Sequence, residues 1–270
     1  MSGILYFVAT PIGNLEDISM RAIKTLQAVE MIFCEDTRHS LKLLQHLNIT
    51  KPLKPYHKFN FNETIPYIIS LLKEGKSLAL ITDAGTPAVS DPGSELIEFL
   101  VKEELSYTII PGATASVNAY ALSGFTKGFT FLGFLPEKQK DKEQLLKEIK
   151  NHKTALIFYV APHDLIKQLA LLYKFLSNRK LVIVRELTKM YEEILHTTLE
   201  KGYNKEPKGE FVLVIEGQNE NEINKLNTLS LEEHLNYYLN LNYKKNDAIK
   251  EIAKDRNLKK QDVYNDLIKK

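Results

Sequence analysis

Through the first half of the chain, short apolar runs alternate with stretches in which apolar residues recur every three or four positions. The runs Ile4–Thr10, Met31–Cys34, Leu53–Tyr56, Leu78–Ile81 and Tyr107–Ile110 have the length and character of buried parallel strands. Between them, Ala22, Ile23, Leu26 and Val29, then Leu41, Leu43, Leu44 and Leu47, then Ile65, Ile68, Ile69, Leu71 and Leu72 fall at helical spacing. Ser19 and Thr37 are suited to cap the first two helices. Asn62 opens the third, with Pro66 in its first turn where a missing N–H is tolerated. Leu96, Ile97, Phe99 and Leu100 predict a fourth helix from near Ser94 to near Glu104, and the small apolar residues Val117–Leu122 a fifth. Strand followed by helix, five times over, predicts a mostly parallel sheet with right-handed crossovers.

The pattern changes after Gly124. Phe129–Leu135, Thr154–Val160, Leu181–Glu186, Tyr191–Thr197 and Glu210–Ile215 read as strands, with helices only at Glu137–Lys150 and from Pro162 to about Leu176. Strands that follow one another without a helix imply antiparallel members in a mixed sheet. The expected organisation is α/β: an N-terminal domain over 1–123 with a parallel sheet, and a second domain over 124–217 with a mixed sheet. A polar linker over 218–229 would lead to a helical C-terminal domain over 230–270. That tail reads as wholly helical with a break at Asn257-Leu258, the shape of a helix-turn-helix. From Lys244 to Lys270 it carries nine Lys/Arg against five Asp/Glu, a surplus compatible with touching a phosphate backbone. A solvated helical cap packed on the body would show the same composition.

Composition narrows the classes. At 270 residues, 44% hydrophobic and 26% charged, the chain is an ordinary globular one with ample core. A net charge of +2 is too small to argue nucleic-acid binding from the whole-chain balance. The single cysteine, Cys34, excludes an internal disulfide and, ending an apolar run, reads as a buried strand residue. No apolar run is long enough to span a bilayer, and Ile4–Ala9 lacks the basic residues of a signal peptide, so the expected location is cytoplasmic. Zinc-type Cys/His spacing, the phosphate-loop lysine motif and GxGxxG are all absent, so no metal is expected.

Candidate chemistry gathers where strands end. Thr10–Asn14, Glu35–His39, His57–Asn60, Thr82–Pro87 and Pro111–Ser116 are polar or turn-rich, and parallel strands bring such ends to one edge of a sheet. Loops of Gly, Ala, Thr and Pro let the backbone approach a ligand closely. They suit a neutral or zwitterionic adenosyl ligand better than a triphosphate, which calls for a lysine and a magnesium-binding carboxylate.

The same residues carry a resemblance. Thr10-Pro11-Ile12-Gly13-Asn14-Leu15, Glu35-Asp36-Thr37-Arg38, Asp83-Ala84-Gly85-Thr86-Pro87, Ser90-Asp91-Pro92-Gly93, Pro111-Gly112-Ala113, Gly133-Phe134-Leu135-Pro136, Arg185-Glu186-Leu187-Thr188-Lys189 and Lys208-Gly209-Glu210 occur in this order. Together they resemble the ribosomal RNA small-subunit methyltransferase I family, a branch of the tetrapyrrole methylase superfamily. The resemblance implies two α/β domains in a homodimer, with S-adenosylmethionine held between the domains. It implies methylation of a cytidine ribose 2′-hydroxyl in the decoding region of 16S rRNA within the small ribosomal subunit. The cofactor would lie against Pro11, Ile12, Gly13 and Asn14; against Asp83, Ala84, Gly85, Thr86 and Pro87; and against Pro111, Gly112, Ala113, Thr114 and Ala115. The second domain would add Phe158, Tyr159, Leu187, Thr188 and Glu210.

A ribose hydroxyl is a weak nucleophile, so a proton acceptor is expected. Glu35, Asp36, His57 and Lys189 are the candidates, with Lys189 needing a lowered pKa to serve. Glu35 and Asp36 could equally cap the following helix. Arg38, Lys244, Lys245, Lys259 and Lys260 are the candidate RNA contacts. Two positions depart from the family pattern. Phe59-Asn60-Phe61 stands where His-Asn-Glu is usual, and Tyr159-Val160-Ala161-Pro162-His163-Asp164 where Tyr-Glu-Ser-Pro-His-Arg is usual. A tetrapyrrole C-methyltransferase and a non-catalytic RNA-binding relative are the competing readings.

Overall fold

The computed structural model describes residues 2–218, 226–241, 243–256 and 258–268, with side chains as far as Leu267. Five strands, β1 (Ile4–Val8), β2 (Met31–Cys34), β3 (Leu53–Pro55), β4 (Leu78–Ile81) and β5 (Ser106–Ile110), form one all-parallel sheet in the order β3-β2-β4-β1-β5. The crossover helices are α1 (Met20–Ala28), α2 (Thr37–His46), α3 (Phe61–Lys73) and α4 (Ser94–Lys102). Leu5, Phe7, Leu78 and Leu80 pack on α3 and α4, while Val8, Ile32, Ala79 and Ile81 pack on α1 and α2, so side-chain alternation fills both faces.

The second sheet holds β6 (Phe129–Phe134), β7 (Ala155–Val160), β8 (Lys180–Arg185), β9 (Glu193–Thr198) and β10 (Phe211–Ile215) in the order β6-β7-β10-β8-β9. The pair β6–β7 is parallel, and β10 runs antiparallel to both of its neighbours. One face buries Leu156, Phe158, Leu213 and Ile183 under α6 (Gln139–Ile149) and α7 (Leu165–Leu176). The other is covered by α5 (Ala115–Ser123), whose Ala119 is fully buried with Ile157, Val182, Val184, Val212 and Val214. Thus α5 follows the first sheet in sequence but packs on the second.

Three further helices, α8 (Leu231–Asn240), α9 (Lys245–Asp255) and α10 (Lys260–Ile268), share a small core of Leu235, Tyr238, Ile249, Ile252 and Val263. Ser230 and Glu233 form a capping box at the start of α8. This tail is held to the second domain by the largely buried Lys150–Glu251 ion pair at 2.5 Å.

Several local expectations need correction. The tail is interrupted after Asn240 as well as after Arg256, because Tyr243-Lys244 turns the chain before α9 begins. Asn257, Lys269, Lys270 and the linker positions 219–225 lie outside the described residues, and 226–228 are helical. Asp36, not Thr37, caps α2, its carboxylate accepting the Arg38 N–H at 2.8 Å; a carboxylate reaches the second amide of the helix readily. Helix α3 starts one residue early, at Phe61, which puts Pro66 in its second turn, one backbone bond short. Leu41 is exposed, since α2 buries Leu43 and Leu44 instead.

Candidate functional site

The loop after β4 is fixed to the end of β1 by one antiparallel bridge. Thr10 N donates to Gly85 O at 2.9 Å and Gly85 N to Thr10 O at 3.2 Å. Gly85 has φ of 84°, which a side chain would oppose. Thr86 Oγ1 reaches Ala113 O at 3.4 Å, drawing the third loop alongside. Across from these loops stand the ends of β7, β8 and β10. Between the two sets lies a cavity of about 390 Å³, with Ile12, Val184, Leu187 and Val212 as apolar wall and Asp83, Asp91 and Glu210 as its charged groups. Among the described residues, no lysine or arginine lines it.

A second cavity, of about 560 Å³, adjoins the first and shares Asp83, Ser90 and Asp91 with it. Glu35, Asp36, His57, Lys58 and Glu95 add polar groups to its lining, and Tyr56, Phe59 and Phe61 add rings. Burial and the neighbouring Asp83 charge raise the pKa of Glu35, and burial with the Glu35 and Asp83 charges pushes Asp91 up to about 6. Asp36 behaves oppositely. The Arg38 guanidinium, bonded at 3.2 and 2.8 Å, and the helix amides hold its carboxyl far below the usual range.

The two domains touch closely at Gly13. A Cβ there would lie 2.4 Å from Lys189 Cγ and 2.8 Å from Thr188 Oγ1. Lys189 Nζ bonds Glu186 at 3.0 Å and Glu210 at 3.1 Å. Burial alone would lower its pKa, but the two carboxylates outweigh burial and the shift is upward. Backbone strain gathers on both lips of the first cavity: Ala88 and Ser90 on one side, and Glu186 and Thr188 on the other, have φ between 49° and 67°. A β-branched residue such as Thr188 adopts that conformation only where its surroundings impose it.

A family model for Tetrapyrrole (Corrin/Porphyrin) Methylases matches residues 4–201. Ribosomal RNA small subunit methyltransferase I of Halalkalibacterium halodurans is 45% identical, covering 97% of this chain and 94% of the relative. The Bacillus subtilis protein of the same name is 41% identical over 97% of this chain and 93% of its own length. The chain belongs to the ribosomal RNA small subunit methyltransferase I family. The Thermotoga maritima member, 39% identical, aligns over 99% of its length but 80% of this chain. Solved structures share the fold: diphthine synthase at a TM-score of 0.64 and 15% identity, covering 80% of this chain and 91% of that one. Uroporphyrin-III-C-methyltransferase from Thermus thermophilus matches at 0.55 and 18%, covering 79% and 94%.

For this member of the ribosomal RNA small subunit methyltransferase I family, the first cavity brings together ten of the expected cofactor residues. These are Ile12, Asp83, Ala84, Gly85, Thr86, Thr114, Ala115, Tyr159, Leu187 and Glu210. Pro11, Gly13, Asn14, Pro87, Pro111, Gly112, Ala113 and Thr188 do not line it; they shape or buttress the loops that do. Asn14, for example, caps a 3-10 turn through the Glu16 N–H. Phe158 is fully buried beneath α6 and α7, because strand alternation sends it to the face opposite Tyr159. Glu35, Asp36 and His57 share the second cavity, whereas Lys189 sits among carboxylates at the domain junction. Arg38 projects outward beside Asp36, and Lys244, Lys245, Lys259 and Lys260 are exposed on the tail, apart from both cavities.

Asp91 is the residue that sequence reasoning missed. Its signal was Ser90-Asp91-Pro92-Gly93, which reads first as a turn. The departures from the family pattern fall at the site itself. Val160 and Ala161 line the first cavity, and Phe59, 85% exposed, stands at the second with its ring 6.1 Å from that of His57.

Proposed function

We propose that the protein transfers the methyl group of S-adenosylmethionine to a cytidine ribose 2′-hydroxyl in the decoding region of 16S rRNA. It would act on the small ribosomal subunit, in the cytoplasm, as a homodimer. The observation that carries this reading is the meeting of two cavities at Asp83, Ser90 and Asp91. One suits a donor and the other an acceptor. The relatives' names support the substrate class, since each is called a ribosomal RNA small subunit methyltransferase.

The first cavity fits the cofactor on the chemistry of its lining. An apolar wall with carboxylates and without a cation favours a ligand carrying positive charge over a phosphate. Ile12, Gly85, Thr114, Val184 and Leu187 would hold it, with Asp83 and Asp91 facing its charge. When bound, S-adenosylmethionine supplies an electrophilic methyl group whose departure returns an electron pair to sulfur. The protein's own work is then alignment and removal of one proton.

Among the four expected acceptors, Asp36 is committed to Arg38 and to the α2 cap, and Lys189 stays protonated between two carboxylates. Glu35 and His57 remain of the four, and the His57 Nδ1 already accepts the Phe59 N–H at 3.3 Å. The structure adds Asp91 beside Glu35, giving two partly buried carboxyls with raised pKa values in a shared acidic cluster. The hydroxyl proton passes to this pair as the oxygen–carbon bond forms. Phe59 offers the exposed ring on which an unstacked base can lie. For the homodimer, the support is an uncovered apolar face at the edge of the first sheet. Tyr107 and Ile109 share one side of β5 and are part-open to solvent.

The test is incorporation of labelled methyl groups into small subunits that lack native methylation, mapped by ribose, with naked rRNA and a porphyrinogen in parallel. Label on a decoding-region ribose alone supports the reading. Label on the tetrapyrrole, or cofactor binding without any transfer, overturns it.

A further inference from the structure

Among the described residues, carboxylates outnumber cations in both cavities described above, where Lys58 in the second is the one lysine of the two linings, and such sites repel an RNA backbone. Binding energy for such a substrate must come from elsewhere on the molecule. The groove between the second domain and the tail has the opposite character. About 500 Å³ in volume, it is lined by Lys147 and Lys150 at the end of α6, Lys174 on α7, and Lys244, Lys250 and Lys254 at and along α9. Glu251 is already satisfied there, by Lys150 at 2.5 Å and Lys254 at 3.1 Å. Among the described residues, Lys147, Lys174, Lys244 and Lys250 make no ion pair, and Asp247 is the one other acidic group in the lining. Phe175 and Tyr243, both part-exposed, add ring faces to the same groove. Lysines interleaved with aromatic rings are the chemistry of single-stranded nucleic-acid binding, in which cations follow the backbone and rings stack bases.

We propose that this groove holds the phosphodiester backbone of the RNA substrate at a stretch remote from the methylated nucleotide. The inference rests on the RNA-methylation reading. It adds the docking site: α6 and α7 cover the face of the second sheet opposite the one bordering the first cavity. An RNA touching both must therefore pass around the second domain.

The test is the full-length variant Lys147→Ala/Lys174→Ala/Lys250→Ala, with Lys→Arg at the same positions as the control that keeps charge. The expected result is a KM for small subunits at least tenfold higher with kcat and cofactor affinity unchanged, restored by arginine. The slope of log affinity against log salt should also become shallower by about 2, as three lost phosphate contacts require. Wild-type methylation with an unaltered KM and slope in the variant overturns the proposal. So does a variant that loses affinity for intact subunits but not for protein-free rRNA, which would make an acidic protein segment the occupant. If the wild type methylates no RNA, the RNA-methylation reading fails. Binding of a fluorescent single-stranded RNA then decides the groove alone: equal affinity of wild type and alanine variant overturns it.

Discussion

At the scale of single residues, Asp91 links chemistry to stability. Its folded pKa of about 6 lies above the ordinary aspartate value, so the folded state prefers the protonated form. Stability therefore falls as pH rises from about 4 through 6, and levels off above. Asp91→Asn should leave stability at pH 4 nearly unchanged. Above pH 6 it should raise stability by about 1 kcal/mol, less than the full linkage value because the group is partly solvated. The same substitution should cost at least 100-fold in kcat and remove the rising acid limb of the pH–rate profile. Thermal melts and single-turnover rates across pH 4–8 check both, and an unchanged acid limb would exclude Asp91 as the acceptor. Phe59 makes a separate contribution. Base stacking on a protein ring is worth about 1–3 kcal/mol, so Phe59→Ala should raise the KM for subunits about tenfold and leave cofactor affinity alone. A normal KM would return Phe59 to the status of an idle surface residue.

At the scale of elements, the loops from the two domains meet without room to spare. Gly13→Ala would drive a methyl group into Lys189, Thr188 and the Leu187 carbonyl, displacing the lip that carries Leu187. The expected loss is about 1–3 kcal/mol of stability and roughly tenfold in S-adenosylmethionine affinity by calorimetry. Binding as tight as wild type would mean the lip yields freely. These loops were also the most legible part of the sequence. Apolar runs ending in Gly, Pro and Thr gave the strand ends, and parallel order gave their convergence. What stayed hidden depended on side-chain direction and distant partners. Phe158 and Tyr159 are adjacent letters on opposite faces of β7. The carboxyl of Glu35, far off in the chain, raises the pKa of Asp91 only once β2 and the loop after β4 lie side by side. Lys189 met two carboxylates from separate strand ends, which no local pattern announces. The same holds for α5, whose small apolar residues predicted tight packing but not which sheet it would cover.

For the whole molecule, the uncovered flank of β5 is the surface on which the proposed homodimer rests. Ile109→Glu places charge on that flank while sparing Tyr107, whose ring packs edge-on against buried Phe7 at 6.3 Å, and Ile110, which packs on the other side of the strand. Sedimentation should show dimer for the wild type and monomer for the variant at micromolar concentration. A wild-type monomer, or a variant dimer, would locate self-association elsewhere or nowhere. No described helix is long and apolar enough to cross a membrane.

The strand order β6-β7-β10-β8-β9 has a consequence for how the protein comes into being. The last strand to be synthesised is the central one. Until Phe211–Ile215 leaves the ribosome, β6–β7 and β8–β9 are two separate ribbons with nothing between them, and α5 waits without the face it will cover. Such late, long-range closure is slow and leaves apolar surface bare in the meantime. Because β10 brings Phe211 and Val212 to the first cavity, the nascent chain cannot acquire its ligand site before that insertion. A cofactor already abundant in the cell would then act as a latch on the final step, drawing the closed sheet out of a population of open chains.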